Sequence, residues 1–408
     1  MKEAKLACKA KLDFNKVSEE HRTNALKSIA DSLKTNIDQI IKANEKDLFN
    51  AKELNVSTAL LDRLKLNKER IMEMVSGVLS IASQNQVVGE ITETQTREDG
   101  LIIEKQRIPL GVIGMIFESR PNVVIDCSCL AIKSGNCIIL KGGKEANESN
   151  RILTEIVRKA IKEFIPEDVV QLIDSREDVA SLLQQVGLVD VIIPRGGEKL
   201  INYVYENSKV PVIAHFKGLC HIFIDQSANL DNALKIIINA KTQRPGVCNA
   251  METLLLHKEL PQSFRDNLLS ELIKKGTEIR VCENTIHSNS KVNVANDIDW
   301  DTEYLANILS IKTVENLEMA ITHIQSHGTH HSEAIVSNDQ ESINQFLSQV
   351  DASSIMINAS TRFNDGSEYG LGAELGISTT KLHAYGPMGA KEMTTLRYLV
   401  KGNGHIRG

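Results

Sequence analysis

From Ser18, a residue type suited to an N-cap, apolar positions Leu26, Ile29, Ala30, Leu33, Ile37, Ile40 and Ile41 recur at spacings of three and four. That stripe predicts one long amphipathic helix, and the first 80 residues read as helical throughout. Between residues 87 and 108 the period drops to two. Two alternating polar–apolar stretches flank Glu98-Asp99-Gly100, the kind of Asp-Gly turn that closes a β-hairpin. A hairpin this polar, outside any core pattern, predicts an arm that packs on something else, such as another subunit.

A regular alternation follows. Strands are predicted at 110–116, 137–140, 169–173, 189–193 and 210–214, separated by helices at 121–134, 145–163, 175–186 and 198–207. Pro121 is expected at the first position of its helix. A second cycle begins after Asp225, with helices at 230–240, 262–275, 314–327 and 340–350 and strands at 253–257, 278–281, 334–336 and 354–357. The tail ends in a short β-rich stretch at 397–400. Short β-rich runs alternating with helices of about a dozen residues predict βαβ units and parallel sheets. The expected fold class is α/β: two doubly wound lobes with a small β element, and a cleft between the lobes for a small molecule.

Composition narrows the partners. The 408 residues carry 47 Lys+Arg against 53 Asp+Glu, a formal charge of −6 without a basic block. Such a chain is poorly suited to nonspecific binding of nucleic acid or anionic membranes. The apolar runs around 123–125 and 236–238 fall far short of the ~20 residues that span a bilayer. Met1-Lys2-Glu3-Ala4-Lys5 is not followed by an apolar signal region, so a soluble, cytoplasmic protein is expected. Seven cysteines are scattered without a C-x-x-C pair, which excludes a zinc ribbon.

Four places carry candidate chemistry. Pro194-Arg195-Gly196-Gly197 and Lys141-Gly142-Gly143-Lys144 each follow a predicted strand. Paired glycines at a strand-to-helix turn, beside a cation, suit a phosphate; two ordinary βα turns are the alternative. Gln243-Arg244-Pro245-Gly246-Val247-Cys248-Asn249 sets Cys248 in a loop after a Pro-Gly break. It is a candidate nucleophile whose thiolate Arg244 would favour, or a loop cysteine of no consequence. His215 lies near the inferred cleft and reads as an acid/base, a phosphate ligand or a structural histidine. His323, His327, His330 and His331 imitate metal-ligand spacing, but Gly328 breaks the helix and no carboxylate signature accompanies them. No metal is expected there.

Phe117-Glu118-Ser119-Arg120-Pro121-Asn122-Val123, Pro194 to Gly197, Gln243 to Asn249, Glu368-Tyr369-Gly370 and Gly386-Pro387-Met388-Gly389 together resemble the γ-glutamyl phosphate reductases. These glutamate-5-semialdehyde dehydrogenases of proline biosynthesis belong to the aldehyde dehydrogenase superfamily, and the resemblance runs nearly end to end. It implies a dinucleotide-binding domain (1–86 and 108–222, with part of 385–397), a catalytic domain (223–384) and an oligomerisation element (87–107 and 398–408). It implies NADPH, L-glutamyl 5-phosphate, a homo-oligomer and functional coupling to glutamate 5-kinase. By similarity Lys141 meets the adenosine ribose, Arg195, Gly196 and Gly197 lie by the cofactor phosphates, and Glu303 meets the nicotinamide ribose. Lys144 stands where NAD-preferring relatives place an acid, and a cation there favours a 2′-phosphate.

Departures from the wider superfamily carry mechanism. Hydrolytic members place a water-activating Glu where this chain has His215, and an Asn as oxyanion donor where it has Ser119. Losing the water base spares a thioester for exchange with phosphate. The implied path is attack by Cys248 on the acyl phosphate, loss of phosphate, reduction of the thioacyl and release of the semialdehyde. Oxyanion donors are the Cys248 N–H with Ser119 or Asn122. Arg120, Arg244 and Arg362 are the cations for phosphate and α-carboxylate. The competing expectations are an irreversible NAD(P)-dependent aldehyde dehydrogenase making an acid, and a non-catalytic scaffold on the same fold.

Overall fold

A computed structural model of the chain describes residues 1–53, 58–214, 217–282 and 292–407. Two parallel sheets form its frame. The first has four strands in the order Val170–Leu172, Cys137–Lys141, Val112–Phe117, Val191–Arg195. The chain enters at Val112–Phe117, steps outward twice, then crosses back to the other side. That places a topological switch point between Phe117 and Arg195, where the strand ends part and leave a crevice. The strands are buried, and helices Lys2–Phe14, Asn122–Lys133 and Asn147–Ile161 cover them in one apolar core.

The second sheet has seven strands in the order Val292–Val294, Glu278–Val281, Ile308–Val314, Met251–His257, Cys220–Ile224, Ser332–Val336, Ser354–Ile357. All of its pairings are parallel. Three of these strands lie outside the alternation read from the sequence. Ile308–Val314 carries Ser310 and Lys312 at inward-reading positions, and the apolar Val314 reads as the start of the next helix. That helix begins only at Leu317, capped by the Asn316 side chain on the Met319 N–H.

Other expectations are corrected by local hydrogen bonding. The long N-terminal helix is two helices, Glu19–Thr35 and Ile37–Glu53. The Thr35 hydroxyl and the Asn36 amide bond back to the carbonyls of Asp31 and Ser32 and interrupt the ladder between them. Ser18 caps the first of these helices by accepting from the His21 N–H. Pro121 is the N-cap, not the first residue, of Asn122–Lys133. Residues 210–214 make a single bridge, Ile192 to Val212, instead of a strand, because Pro211 has no N–H to give the ladder.

The predicted hairpin is present as Ile91–Thr96 paired antiparallel with Ile102–Pro109, turning through Gly100 at φ 84°. Thr394–Lys401 adds a third antiparallel strand, from Thr394 opposite Pro109 to Lys401 opposite Ile102. Among the described residues none of these three strands joins a core, and Leu396, Tyr398 and Val400 expose one apolar face. Also among the described residues, no helix is long and apolar enough to cross a membrane.

Candidate active site

The carboxyl ends of the first sheet face the amino ends of the second. A cavity of about 440 Å³ lies where they meet, lined by Phe117, Ser119 and Arg120 from one side and Cys248, Asn249 and Glu303 from the other. Cys248 sits in the loop between helix Leu230–Thr242 and strand Met251–His257, as its Pro-Gly break predicted. The loop is pinned along its length. Arg362 Nε donates to Gln243 at 2.7 Å, Arg63 Nη2 to the Gly246 carbonyl at 3.1 Å, and the Cys220 thiol to the Cys248 carbonyl at 3.1 Å. The Thr361 hydroxyl donates to the Asn249 carbonyl at 2.7 Å. Gly218 packs so closely that an added Cβ would stand 2.2 Å from the Cys248 carbonyl oxygen. The nucleophile candidate is held, not displayed on a free loop.

Burial pushes the Cys248 thiol up to about 12, with Glu374 and Glu303 adding to the rise. Arg195 and Arg120 are the leading cations that oppose it, ahead of the sequence neighbour Arg244 to which that task was assigned. Arg120 is itself pulled down to about 10 by desolvation and then by Arg195, Arg63 and Arg244. Guanidinium groups and carboxylates thus act on the thiol with opposite sign from the walls of one cavity. Arg362, Arg244 and Arg120 all line this cavity, as the three substrate cations were expected to.

Of the two side-chain oxyanion candidates, Ser119 lines the thiol cavity and Asn122 does not. Ser119 reaches the cavity wall at φ 39°, a left-handed backbone uncommon for a non-glycine residue. Its N–H and its hydroxyl both donate to Glu145 Oε1, the former at 2.8 Å. Asn122 is off the wall: its amide donates to Asp126 at 2.8 Å, one helical turn on. His215 lies outside the described residues.

A second cavity of about 980 Å³ shares Phe117, Glu118 and Ser119 with the first. Lys141, Gly143, Lys144, Arg176 and Lys199 line it beside the apolar Ile116, Val179, Leu200 and Tyr203. Apolar walls for a base with cations for phosphates fit an NADP-type dinucleotide, and the volume suits a ligand that long. Lys141 is buried and donates to the Gly142 carbonyl at 2.7 Å. Gly142 is demanded by packing, because a Cβ would stand 2.1 Å from Asn150 Nδ2. A Cβ on Gly143 would meet Glu145, at 2.0 Å from its Oε1, and one on Gly196 would meet Glu118, at 2.5 Å from its Oε2. Glu118 also accepts the Gly197 N–H at 2.8 Å. Both glycine turns read as phosphate cradles thus carry a carboxylate of the chain itself. Arg195, Gly196, Gly197 and Glu303 line the thiol cavity, not this one, with Glu303 accepting from the Gly218 N–H at 3.1 Å.

The Aldehyde dehydrogenase family model matches residues 1–288. The γ-glutamyl phosphate reductase of Caldanaerobacter subterraneus subsp. tengcongensis is 48% identical over 99% of this chain and 98% of that protein. That of Nautilia profundicola is 49% identical over 95% of both. The chain belongs to the aldehyde dehydrogenase family, in its γ-glutamyl phosphate reductase branch. The crystal structure of the Thermotoga maritima γ-glutamyl phosphate reductase superposes with a TM-score of 0.96, at 42% identity over 100% of this chain and 99% of that one. A glyceraldehyde-3-phosphate dehydrogenase of Methanocaldococcus jannaschii, complexed with NADP, shares the fold at a TM-score of 0.70 and 16% identity, over 98% of this chain and 94% of that one.

Sequence reasoning within this family passed over Arg63, Asp365 and Glu374, all of which line the thiol cavity. Arg63 stands in the short helix Thr58–Leu64 more than fifty residues before the ESRPN segment, and no local motif marks it. Glu374 pairs with Arg195 at 3.7 Å and accepts the Gly366 N–H at 2.8 Å. The histidine cluster is packing. His323 stacks edge-on against His221 and Trp300, and burial drives it down to about 2. His327 bonds Asp301 and His330 the Asp351 carbonyl. Among the described residues no group of three His, Cys, Asp or Glu has the geometry to hold a metal.

Proposed function

We propose that this chain reduces L-glutamyl 5-phosphate to L-glutamate 5-semialdehyde and phosphate, with NADPH, through a thioacyl on Cys248, as a step of proline biosynthesis. The observation that carries this reading is the pinned thiol facing Arg120, Arg195, Arg244 and Arg362 across one cavity. A thiol serves acyl transfer, and crowded guanidinium groups serve a phosphate and a carboxylate on the same small molecule.

In the forward direction the Cys248 sulfur bonds the acyl carbon and the carbon–oxygen bond to phosphate breaks. The bond's electron pair leaves with the phosphate, toward the arginines. NADPH, when bound among Lys141, Gly142, Gly143, Lys144, Arg195, Gly196, Gly197 and Glu303, supplies the hydride that reduces the thioacyl carbonyl. The negative oxygen that forms on that carbon takes hydrogen bonds from the Cys248 N–H and from Ser119 once Glu145 lets it go. Asn122 acts through Asp126 as a positioning residue of the same turn. Collapse of the adduct breaks the carbon–sulfur bond and returns the thiol. Arg120, Arg244 and Arg362 divide the phosphate and the α-carboxylate among them. His215 keeps the place of the water base without its chemistry.

The domain roles follow the same reading. Residues 1–86, 108–222 and part of 385–397 bind the dinucleotide, 223–384 carry the chemistry, and 87–107 with 398–408 join subunits of a homo-oligomer. Functional coupling to glutamate 5-kinase and a cytoplasmic site of action complete it. The test is NADP reduction by pyrroline-5-carboxylate, the cyclised semialdehyde, with and without phosphate. Strict phosphate dependence supports the reading, and phosphate-independent formation of glutamate refutes it.

A further inference from the structure

Arg63 lies in the N-terminal helices, far in sequence from every motif at the thiol. Leu61 and Leu64 seat its short helix against Leu48, Ala51 and Ala146. Leu60 and Arg63, three residues apart, share the neighbouring face, and both line the thiol cavity. Arg63 spends one N–H on the Gly246 carbonyl, two residues before Cys248. Among the described residues, no carboxylate pairs with Arg63, Arg120 or Arg244. The cavity's acids are engaged elsewhere: Glu118 on the Gly197 N–H, Glu303 on the Gly218 N–H, Glu374 on Arg195, Glu198 on Lys217. Asp365 accepts from Ser367 and is the counter-charge for Arg362.

We propose that Arg63 is a ligand of the substrate's phosphoryl group, forming with Arg120 the fork that receives phosphate as it leaves the acyl carbon. Two guanidinium groups lining one cavity without a carboxylate repel each other, so an arrangement that keeps both there is completed by an anion. Burial first, then Arg195 and Arg63, hold the Arg120 guanidinium below its ordinary value, which leaves it short of an anion. A phosphate dianion offers the charge and the paired oxygens that two planar forks match. The same Arg63 latches the nucleophile loop through Gly246, so binding of phosphate and placement of the thiol are joined in one side chain. This inference rests on the reading of Cys248 as an acyl-transfer nucleophile in a phosphate-releasing reaction.

The experiment separates a ligand from a latch. Cys248 is alkylated with iodoacetate, an anion, and iodoacetamide, its neutral counterpart, with peptide mapping to follow Cys248 alone. Wild type, Arg63→Lys and Arg63→Met are compared. Arg63→Met should lower the iodoacetate-to-iodoacetamide rate ratio about 5- to 30-fold, the loss of one charge-assisted contact. It should raise the phosphate KM in the oxidative direction by a similar factor while kcat at saturating phosphate falls less. Arg63→Lys, which keeps the charge but not the fork, should recover most of the ratio and part of the KM. If both reagents slow equally and the phosphate KM stays put, Arg63 is a latch only and the inference is wrong. A wild type that shows no phosphate-dependent NADP reduction would refute the functional reading instead, and the alkylation ratio would still report on Arg63.

Discussion

The cavity around Cys248 and the larger one beside it share Phe117, Glu118 and Ser119 on a common wall, yet they balance charge in different ways. In the larger cavity Lys141, Lys144, Arg176 and Lys199 face Glu118, Glu145, Asp174 and Glu177, and apolar side chains fill the rest. Burial lowers Lys141 there, and Glu145 is the leading charge that opposes the fall. In the smaller cavity Arg63, Arg120 and Arg244 lack acidic partners among the described residues, and a buried thiol is pushed up to about 12. The larger space is fitted to hold a long, mixed ligand at modest cost. The smaller one stores unsatisfied charge that a reacting phosphate and a developing oxyanion would relieve, which is how a site favours a transition state over solvent. Ser119 and Glu145 connect the two, because the serine that should serve the reaction is held by a carboxylate of the cofactor turn.

The comparison breaks most completely at the nucleophile. Cys248→Ala should lower kcat by at least about 10⁴-fold while the NADPH Kd, read by fluorescence titration, changes less than about twofold. A variant keeping a tenth of the activity would show that chemistry does not reside in the smaller cavity. His215→Glu should open a hydrolytic route, raising phosphate-independent semialdehyde oxidation by about 10²–10⁴-fold through general-base assistance. Glutamate released without phosphate is the readout, and a folded, NADPH-binding variant that releases none contradicts the role given to this position.

Lys144→Glu tests the larger cavity alone. It should weaken NADPH by about 1–3 kcal/mol and NADH much less, since a carboxylate then faces the 2′-phosphate. Equal weakening of both would place that phosphate elsewhere. The smallest effect concerns the thiol. Because its folded value is raised, the thiolate fraction and the iodoacetamide rate should climb about tenfold per pH unit from pH 7 to 10 without levelling. Glu374→Gln removes an anion that raises this thiol, so the curve should move to lower pH and the rate at pH 8 rise about 3- to 10-fold. An unchanged curve would mean that Glu374 does not tune Cys248.

Both lobes, the hairpin and the loop of Cys248 were legible because each is written in local pattern: period-two alternation, a Pro-Gly break, paired glycines after an apolar run. What was not legible is long-range. Strand Ile308–Val314 carries a buried Ser310 that is affordable only because Tyr304 bonds it at 2.7 Å. Arg63 and Glu374 reach the thiol by tertiary packing from opposite ends of the chain, and nothing near them in sequence announces it. Asn122 sits in a recognisable segment, yet the helix phase turns its amide to Asp126. The glycine turns were located correctly, but their occupation by Glu118 and Glu145 depends on side chains whose direction no spacing reveals.

The central claim is a thioacyl on Cys248 that waits for phosphate instead of water. The direct measurement is mass spectrometry of the Cys248 peptide after the enzyme has been mixed with pyrroline-5-carboxylate and NADP in phosphate-free buffer and quenched in acid. The account predicts a glutamyl adduct on Cys248 that persists without phosphate and disappears when phosphate is added, with glutamyl phosphate appearing in its place. An unmodified Cys248 alongside full NADP reduction, or an adduct that decays to glutamate at the same rate with and without phosphate, would contradict it.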